Sequence, residues 1–272
     1  MTRSPDGAMA GAPPGAVRAR LRAAGEAPRP VAGWQRWEEI LFLHWSVDPA
    51  ALRPLVDERL ELDLADGRAW VSLTPFTMRD ARVRGLPHLP LLTTFHEVNL
   101  RTYVRLGGVP GIWFFSLDAA SAPAAALARA TLGLPYEWAD VDRGLEAGRR
   151  WYRSRRRGLG GRAAVLEAGW GDGDAMPDPP GALDEFLADR HALYSTLAGA
   201  LIRVRVRHAP WRLRQVRLDA LAQTVTRAAG VEVAERPALA RASDGVDVQV
   251  LAPELVLARR AAARRTPAAA PR

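Results

Sequence analysis

Glu97-Val98-Asn99-Leu100-Arg101-Thr102-Tyr103-Val104 alternates polar and mainly apolar side chains along its length. Successive side chains of a β-strand point to opposite faces, so this segment predicts a strand with one apolar face buried. The other face carries Glu97, Asn99, Arg101 and Tyr103. That face has two interpretations: the solvent side of a half-buried sheet, or a polar strip inside a barrel that binds a small polar ligand. Glu97 and Arg101 lie about 13 Å apart along such a strand, which is too far for a direct ion pair.

The flanking sequence predicts more strands of the same kind. Gly107 to Gly111 turns the chain into an aromatic strand at 112–117, which completes an antiparallel hairpin. Further strands are predicted at 40–45, in a hairpin around Asp66-Gly67, as a pair within 146–170, at 202–207 and at 246–250. Short helices are predicted after Asp48-Pro49, at 123–132 and at 183–193. This order favours an α+β fold, a predominantly antiparallel curved β-sheet or barrel with a few short helices.

The distribution of charge predicts one domain between two tails. Of the net charge of +8, residues 1–30 carry +3 and residues 259–272 carry +5, so the remainder is neutral. Both ends are rich in Arg, Ala and Pro, and we expect disordered tails at 1–33 and 259–272 around a single domain at 34–258. A neutral domain is not expected to bind nucleic acid. The sequence shows no signal peptide and no long apolar run, so we expect a cytoplasmic protein that does not bind membranes.

Two residue types are missing altogether. All 38 basic Lys+Arg positions are arginine, and there is no cysteine. Lysine-imine chemistry, an internal aldimine of pyridoxal phosphate, thiolate catalysis, iron–sulfur clusters and disulfides are therefore excluded. The five histidines are dispersed along the chain without the close spacing typical of metal ligands, so neither a metal nor another cofactor is predicted.

Several segments together resemble the YqjF-like family of uncharacterised bacterial proteins, over about residues 34–257. They are Phe42-Leu43-His44-Trp45, Gly67-Arg68-Ala69-Trp70-Val71, Phe95 to Val104, and Gly111 to Asp118. That family is similar in fold to acetoacetate decarboxylase, a cone-like barrel with an enclosed cavity. The resemblance implies that Glu97 corresponds to the decarboxylase's assisting glutamate. It also implies that Arg190 and Tyr194 reach the cavity. The decarboxylase's imine-forming lysine has no counterpart here.

Three hypotheses for function follow. In the first, the barrel binds a small polar or carboxylate-bearing molecule whose anion pairs with Arg101. If that molecule is transformed, Glu97 serves as the acid or base. Asn99 and Tyr103 orient that ligand, with Arg190 and Tyr194 as further contacts. In the second, the polar strip is a closed network in a non-catalytic sensing or structural protein. In the third, the arginine tails mediate interactions. Whether the chain is an enzyme or a homo-oligomer stays open.

The absence of lysine generates a direct test. Borohydride reduction in the presence of acetoacetate should leave no covalent adduct on the domain, because imine formation needs a primary amine and only the chain's N-terminus has one. Peptide mass mapping makes the measurement, with a lysine-dependent acetoacetate decarboxylase treated in parallel as the positive control. An adduct on any peptide from residues 34–258 would contradict this prediction.

Overall fold

The computed structural model describes residues 29–85, 93–157, 162–174, 176 and 180–256. Thirteen strands join in one sheet. The strands are β1 (Val31–Val47), β2 (Glu61–Leu62), β3 (Ala69–Val83), β4 (Phe95–Leu106), β5 (Val109–Ala119), β6 (Tyr136–Glu146), β7 (Arg149–Arg156), β8 (Val165–Asp172), β9 (Ala192–Leu197), β10 (Ala200–His208), β11 (Arg214–Gln223), β12 (Leu239–Leu251) and β13 (Glu254–Leu255). The helices are α1 (Pro49–Leu52), α2 (Ala122–Leu132), α3 (Ala182–Ala188) and α4 (Val225–Ala228), and a single 3-10 turn covers Arg53–Leu55.

The strand pairings close the sheet twice. A nine-strand barrel runs through β5, β6, β7, β8, β11, β12, β1, β3 and β4. A smaller circuit of seven strands uses β12, β1, β3, β4 and β5 again and is completed by β9 and β10. Five strands therefore belong to both circuits, and the two faces of each line different interiors. The predicted fold, a predominantly antiparallel curved sheet closed into a barrel, is confirmed.

The interior of the nine-strand barrel is filled by apolar side chains. Leu41 and Leu43 from β1, Leu73 from β3 and Leu100 from β4 are fully buried there. Side chains from β7 and β8 close this cluster from the other side, among them Tyr152 and Leu166. Full burial of a leucine contributes about 1.5–3 kcal/mol, so this cluster supplies much of the stability of the fold.

The smaller circuit is closed by two short seams. β5 pairs with β9 in parallel through only Ile112↔Leu193 and Trp113↔Tyr194. β10 pairs with β12 only over Val206 to His208. Between these seams, β9 and β10 form an antiparallel hairpin whose own register covers six residue pairs.

Local sequence signals explain the ends of the helices. Asp48 accepts a hydrogen bond from the backbone N–H of Ala50 at 2.9 Å and is followed by Pro49, an arrangement typical of a helix start. Ser121 caps α2 in the same way. Gly133 ends α2 with φ +63°, and a β-carbon there would lie 2.2 Å from the carbonyl oxygen of Thr196. Glycine is therefore required where α2 meets β9.

The structure corrects three of the predicted local elements. The hairpin predicted at Asp66-Gly67 is formed only at its turn, where Ala65 and Arg68 bridge, because β2 pairs with β4 and not with β3. The helix predicted at 183–193 ends at Ala188, and the chain then enters β9. The ordered chain also starts earlier than predicted, since Val31 to Gly33 belong to β1.

The rest of both predicted tails, residues 1–28 and 259–272, lies outside the described residues. Where the structure describes the chain, no helix is long and apolar enough to span a bilayer.

The close approach of β5 and β9 depends on Gly111. A β-carbon at this position would lie 2.7 Å from the Tyr194 ring and 2.9 Å from the carbonyl oxygen of Ala192. We expect Gly111→Ala to lower the free energy of unfolding by about 1–3 kcal/mol, because the added methyl group overpacks the seam. Denaturant unfolding measures this. Gly169→Ala is the matched control, since its β-carbon would make only an ordinary 3.8 Å contact with Ala220. Equal effects of the two substitutions would contradict the prediction.

Candidate functional site

A cavity of about 160 Å³ lies inside the seven-strand circuit. Its wall is mostly apolar, with contributions from Phe76, Phe114 and Val206. β4 adds the polar side chains of Glu97, Asn99 and Arg101, which are 1%, 8% and 7% exposed. Of the two interpretations of the polar face of this strand, the structure thus shows the internal one.

Glu97 is a buried carboxyl at one side of this cavity. The hydroxyl of Tyr136 donates a hydrogen bond to its Oε2 at 3.0 Å. Burial raises the pKa of Glu97 to about 7, against the opposing effect of hydrogen bonds from Tyr136 and Asn99. Burial, reinforced by the neighbouring Glu97, also raises the pKa of Tyr136 well above its usual value, so Tyr136 remains a donor. A carboxyl with a pKa near 7 can gain or lose a proton at physiological pH, as a general acid or base must.

Arg101 is a buried cation that lacks a carboxylate partner among the described residues. Its Nη2 donates to the carbonyl oxygen of Leu187 at 3.2 Å, and its guanidinium lies 5.6 Å from the centre of the Phe42 ring. Its Nε has no hydrogen-bond partner in the described structure. Burial lowers the pKa of Arg101, but a guanidinium remains protonated in proteins. A full positive charge is therefore held at the cavity wall.

Arg190 brings a second guanidinium to the cavity, but its charge is balanced. Nη1 of Arg190 contacts Asp63 Oδ2 at 2.6 Å, and Nε donates to the carbonyl oxygen of Phe186. The guanidinium also stacks at 4.1 Å over the Phe186 ring. Asp63 compensates Arg190, whereas Arg101 has no carboxylate partner among the described residues.

Tyr103 is part of a closed hydrogen-bond chain rather than of the cavity lining. Its hydroxyl donates to the carbonyl oxygen of Leu187 at 2.8 Å and lies 2.5 Å from Ser72 Oγ, which in turn lies 2.5 Å from His44 Nδ1. Burial lowers the pKa of His44 well below its usual value, so this imidazole is neutral. Tyr103 and Arg101 share the Leu187 carbonyl, and Tyr103 thereby fixes the end of α3 against β4.

Tyr194 lies apart from Glu97 and Arg101. It packs with Val56, Leu60 and Leu201 in a separate apolar cluster, and its hydroxyl donates to the carbonyl oxygen of Val109. It is not among the described residues that line the cavity. The side chain of Tyr194, on β9, points away from the cavity. Arg190, which comes just before β9, lines the cavity.

Polar atoms without partners concentrate around this cavity. Five buried side-chain atoms that have no hydrogen-bond partner in the described structure belong to residues of its wall: Asn99 Oδ1, Arg101 Nε, Arg190 Nη2, His208 Nε2 and Trp211 Nε1. Buried polar groups are almost always hydrogen-bonded, because leaving one unpaired costs about 1–3 kcal/mol. A polar ligand in the cavity would offer hydrogen-bond partners to the atoms among these that face it.

One cluster of histidine and aspartate side chains at the edge of the cavity was not predicted from the sequence. Asp189, His191 and His208 bring one ligand-type atom each to within 4.8 Å of one another. His208 lines the cavity, and its ring stacks on that of His191 at 4.4 Å. The sequence predicted a helix over 183–193, so the β9–β10 hairpin that brings these residues together was not expected. Tyr136, the partner of Glu97, was also not predicted as a site residue.

Solved structures of acetoacetate decarboxylase and related proteins have a similar fold. Acetoacetate decarboxylase from Legionella pneumophila is similar, with TM-score 0.61 and 12% identity over 88% of this chain and 95% of that one. The enduracididine biosynthesis enzyme MppR, complexed with pyruvate, has TM-score 0.59 and 16% identity, over 86% of this chain and 93% of that one. An acetoacetate decarboxylase-like enzyme from Sphingomonas wittichii has TM-score 0.57 and 14% identity, over 84% and 94%.

The chain belongs to the DUF2071 family, described as an uncharacterized conserved protein, whose model matches residues 34–247. It is 37% identical over 215 residues to the uncharacterized protein YqjF of Bacillus subtilis, which covers 79% of this chain and 88% of that protein. The family resemblance seen in the sequence is confirmed.

The shifted pKa of Glu97 predicts how stability depends on pH. The pKa rises from the usual 4.5 to about 7 on folding, so between these values the folded chain binds more protons than the unfolded chain. Stability should therefore fall as pH rises through this window, by up to about 3 kcal/mol at about 1.4 kcal/mol per unit. Glu97→Gln cannot ionise and removes this loss.

Denaturant unfolding of both proteins from pH 4.5 to 8 checks this. Glu97→Gln should gain stability relative to wild type as pH rises. Glu167→Gln, which alters an exposed glutamate on β8, is the control and should follow the wild-type profile. A constant difference between wild type and Glu97→Gln would show that Glu97 ionises as freely as an exposed carboxyl.

Proposed function

We propose that the chain binds a small carboxylate-bearing molecule in the cavity, with the carboxylate on Arg101. The observation that carries this proposal is the charge of Arg101, which is 7% exposed and unpaired among the described residues. An uncompensated buried charge is costly, and proteins retain one where it has a task. A guanidinium presents a planar fork of donors that matches a carboxylate.

The size and lining of the cavity limit which molecules can bind there. An apolar cavity of about 150 Å³ is known to hold benzene, so a cavity of this volume accepts a molecule of about six non-hydrogen atoms. The aromatic and aliphatic wall suits a short carbon chain, and Asn99 and Arg190 offer further polar contacts. A short-chain acid or keto acid satisfies both conditions. MppR, whose fold is similar, is described in complex with pyruvate, a molecule of this class.

Glu97 supplies acid/base chemistry if the bound molecule is transformed. With a pKa of about 7 it holds a proton in a fraction of molecules at neutral pH and accepts one in the rest. Tyr136 orients the carboxyl through its 3.0 Å hydrogen bond. Such a reaction would exchange a proton with the ligand and would need no imine, in keeping with a chain that has no lysine.

The second hypothesis, a closed non-catalytic network, is supported by the chain of hydrogen bonds from His44 through Ser72 and Tyr103 to Leu187. That network is satisfied without a ligand. We therefore assign Tyr103 to holding α3 in place, and we keep ligand contact for Glu97, Asn99, Arg101 and Arg190.

A thermal-shift screen of wild type and Arg101→Met tests the proposal. Short carboxylates, including pyruvate and propionate, should raise the wild-type melting temperature, because a ligand that binds only the folded state stabilises it. The corresponding neutral amides should not. Arg101→Met should lose the response while its ligand-free stability is unchanged or higher, since it removes an unpaired buried charge.

Arg105→Met is the matched control, because Arg105 lies on the same strand but is exposed and paired with Glu61. It should keep the wild-type response. If Arg101→Met instead loses about 3–5 kcal/mol of stability, Arg101 belongs to a closed network and the ligand proposal is wrong. A carboxylate response that survives in Arg101→Met would equally reject it.

A further inference from the structure

Three residues at the edge of the cavity form a cluster that ligand binding at Arg101 does not use. Asp189 follows the last residue of α3, His191 precedes β9, and His208 ends β10. In the β9–β10 register Arg205 lies opposite Ala192, and continuing it by three residues places His208 opposite Asp189. The bond from Val206 N–H to the carbonyl oxygen of His191, 2.9 Å, shows that pairing does continue beyond Ala192. The cluster is thus built by a strand pair rather than by chance contact of loops.

We infer that Asp189, His191 and His208 bind one divalent first-row transition-metal ion. Two imidazoles and one carboxylate are a donor set that proteins use for zinc and for non-haem iron, with coordination positions left open. Each residue presents one ligand atom, all within 4.8 Å of one another, and His191 Nε2 lies 3.2 Å from Asp189 Oδ1. Metal–ligand bonds of about 2.0–2.1 Å require ligand atoms about 3–3.5 Å apart, so one pair has this separation already.

The hydrogen bonding of His208 leaves the correct nitrogen for a metal. Nδ1 lies 2.8 Å from the carbonyl oxygen of Ala209, which can only accept, so the ring proton resides on Nδ1. Nε2 then carries a lone pair, is buried, and has no hydrogen-bond partner in the described structure. A backbone carbonyl that fixes the tautomer in this way is the usual outer partner of a metal-binding histidine.

The charges around the cluster also allow a cation. Arg190 lies between two of the ligands in sequence, but its guanidinium is directed to Asp63 and to the Phe186 ring. Asp189 supplies the negative charge at the cluster itself. His208 also lines the cavity, so an ion bound at this cluster would lie beside the space in which we place the carboxylate ligand. The inference rests on these three residues and not on Arg101.

The test uses the full chain purified without a histidine tag and stripped with chelator, then titrated with Zn²⁺ or Co²⁺ alone. We expect one ion per chain by elemental analysis and, for Co²⁺, a visible absorption band. Asp189→Asn and His208→Ala should each weaken binding at least about tenfold. His96→Ala is the matched control, since His96 contacts Thr77 and Tyr152 on another part of the barrel, and it should bind as wild type does.

Asp189→Asn keeps the shape of the side chain, so it remains informative if His208→Ala fails to fold, which circular dichroism will show. Substoichiometric binding by wild type, or equal affinity in wild type and Asp189→Asn, would overturn the inference and leave the cluster as a histidine–aspartate pair. The carboxylate screen, run in excess chelator, tests the proposed function separately, so either proposal can fail while the other stands.

Discussion

The structure depends on five strands that must serve two interiors at once. In β4, Leu100 points into the filled interior of the nine-strand barrel while Glu97 and Arg101 point into the cavity of the smaller circuit. Because the side chains of a strand alternate with period 2, a slip of one residue would bury the charges in the filled core and expose the apolar row to the cavity. The register of β4 against β3 pairs Leu100 with Leu73 and Arg101 with Ser72. It is therefore fixed by the different polarity of the two interiors that the strand lines.

The filled interior of the nine-strand barrel provides stability, whereas the cavity of the smaller circuit holds the candidate site. The cluster around Leu41, Leu73 and Leu166 is close to fully buried and makes no use of charge. The cavity instead holds an ionised guanidinium and a carboxyl whose proton affinity is raised, each of which reduces the stability of the fold. The chain can retain these groups because the other interior supplies apolar burial independently. Metal binding at Asp189, His191 and His208 would add a third polar feature at the edge of this cavity.

The sequence predicted several of the long strands, but it did not predict β6, β9 or β11. β4 and β5 were predicted because the two faces of a long strand leave an alternating pattern in the sequence. Glu97, Asn99 and Arg101 share one face of β4 and line one cavity, as that alternation predicts. β9 was missed because residues 183–193 begin with a true helix and no glycine or proline marks its end at Ala188. That error hid the proximity of Asp189 to His208. The solvation of Arg101 could not be predicted either, because it depends on which acids neighbouring strands bring, and here Asp63 pairs with Arg190 instead.

The two short seams of the smaller circuit attach the β9–β10 hairpin to the barrel through few backbone pairs. The β9–β10 hairpin pairs with β5 through two residue pairs, with β12 through three and with β13 through two, whereas β1 and β12 share a register of twelve. The hairpin takes no part in the circuit of the nine-strand barrel, so the filled interior does not depend on these short ladders. Because a local opening costs less free energy where fewer backbone hydrogen bonds break, we expect this hairpin to open more readily than the long ladders of β1 and β12.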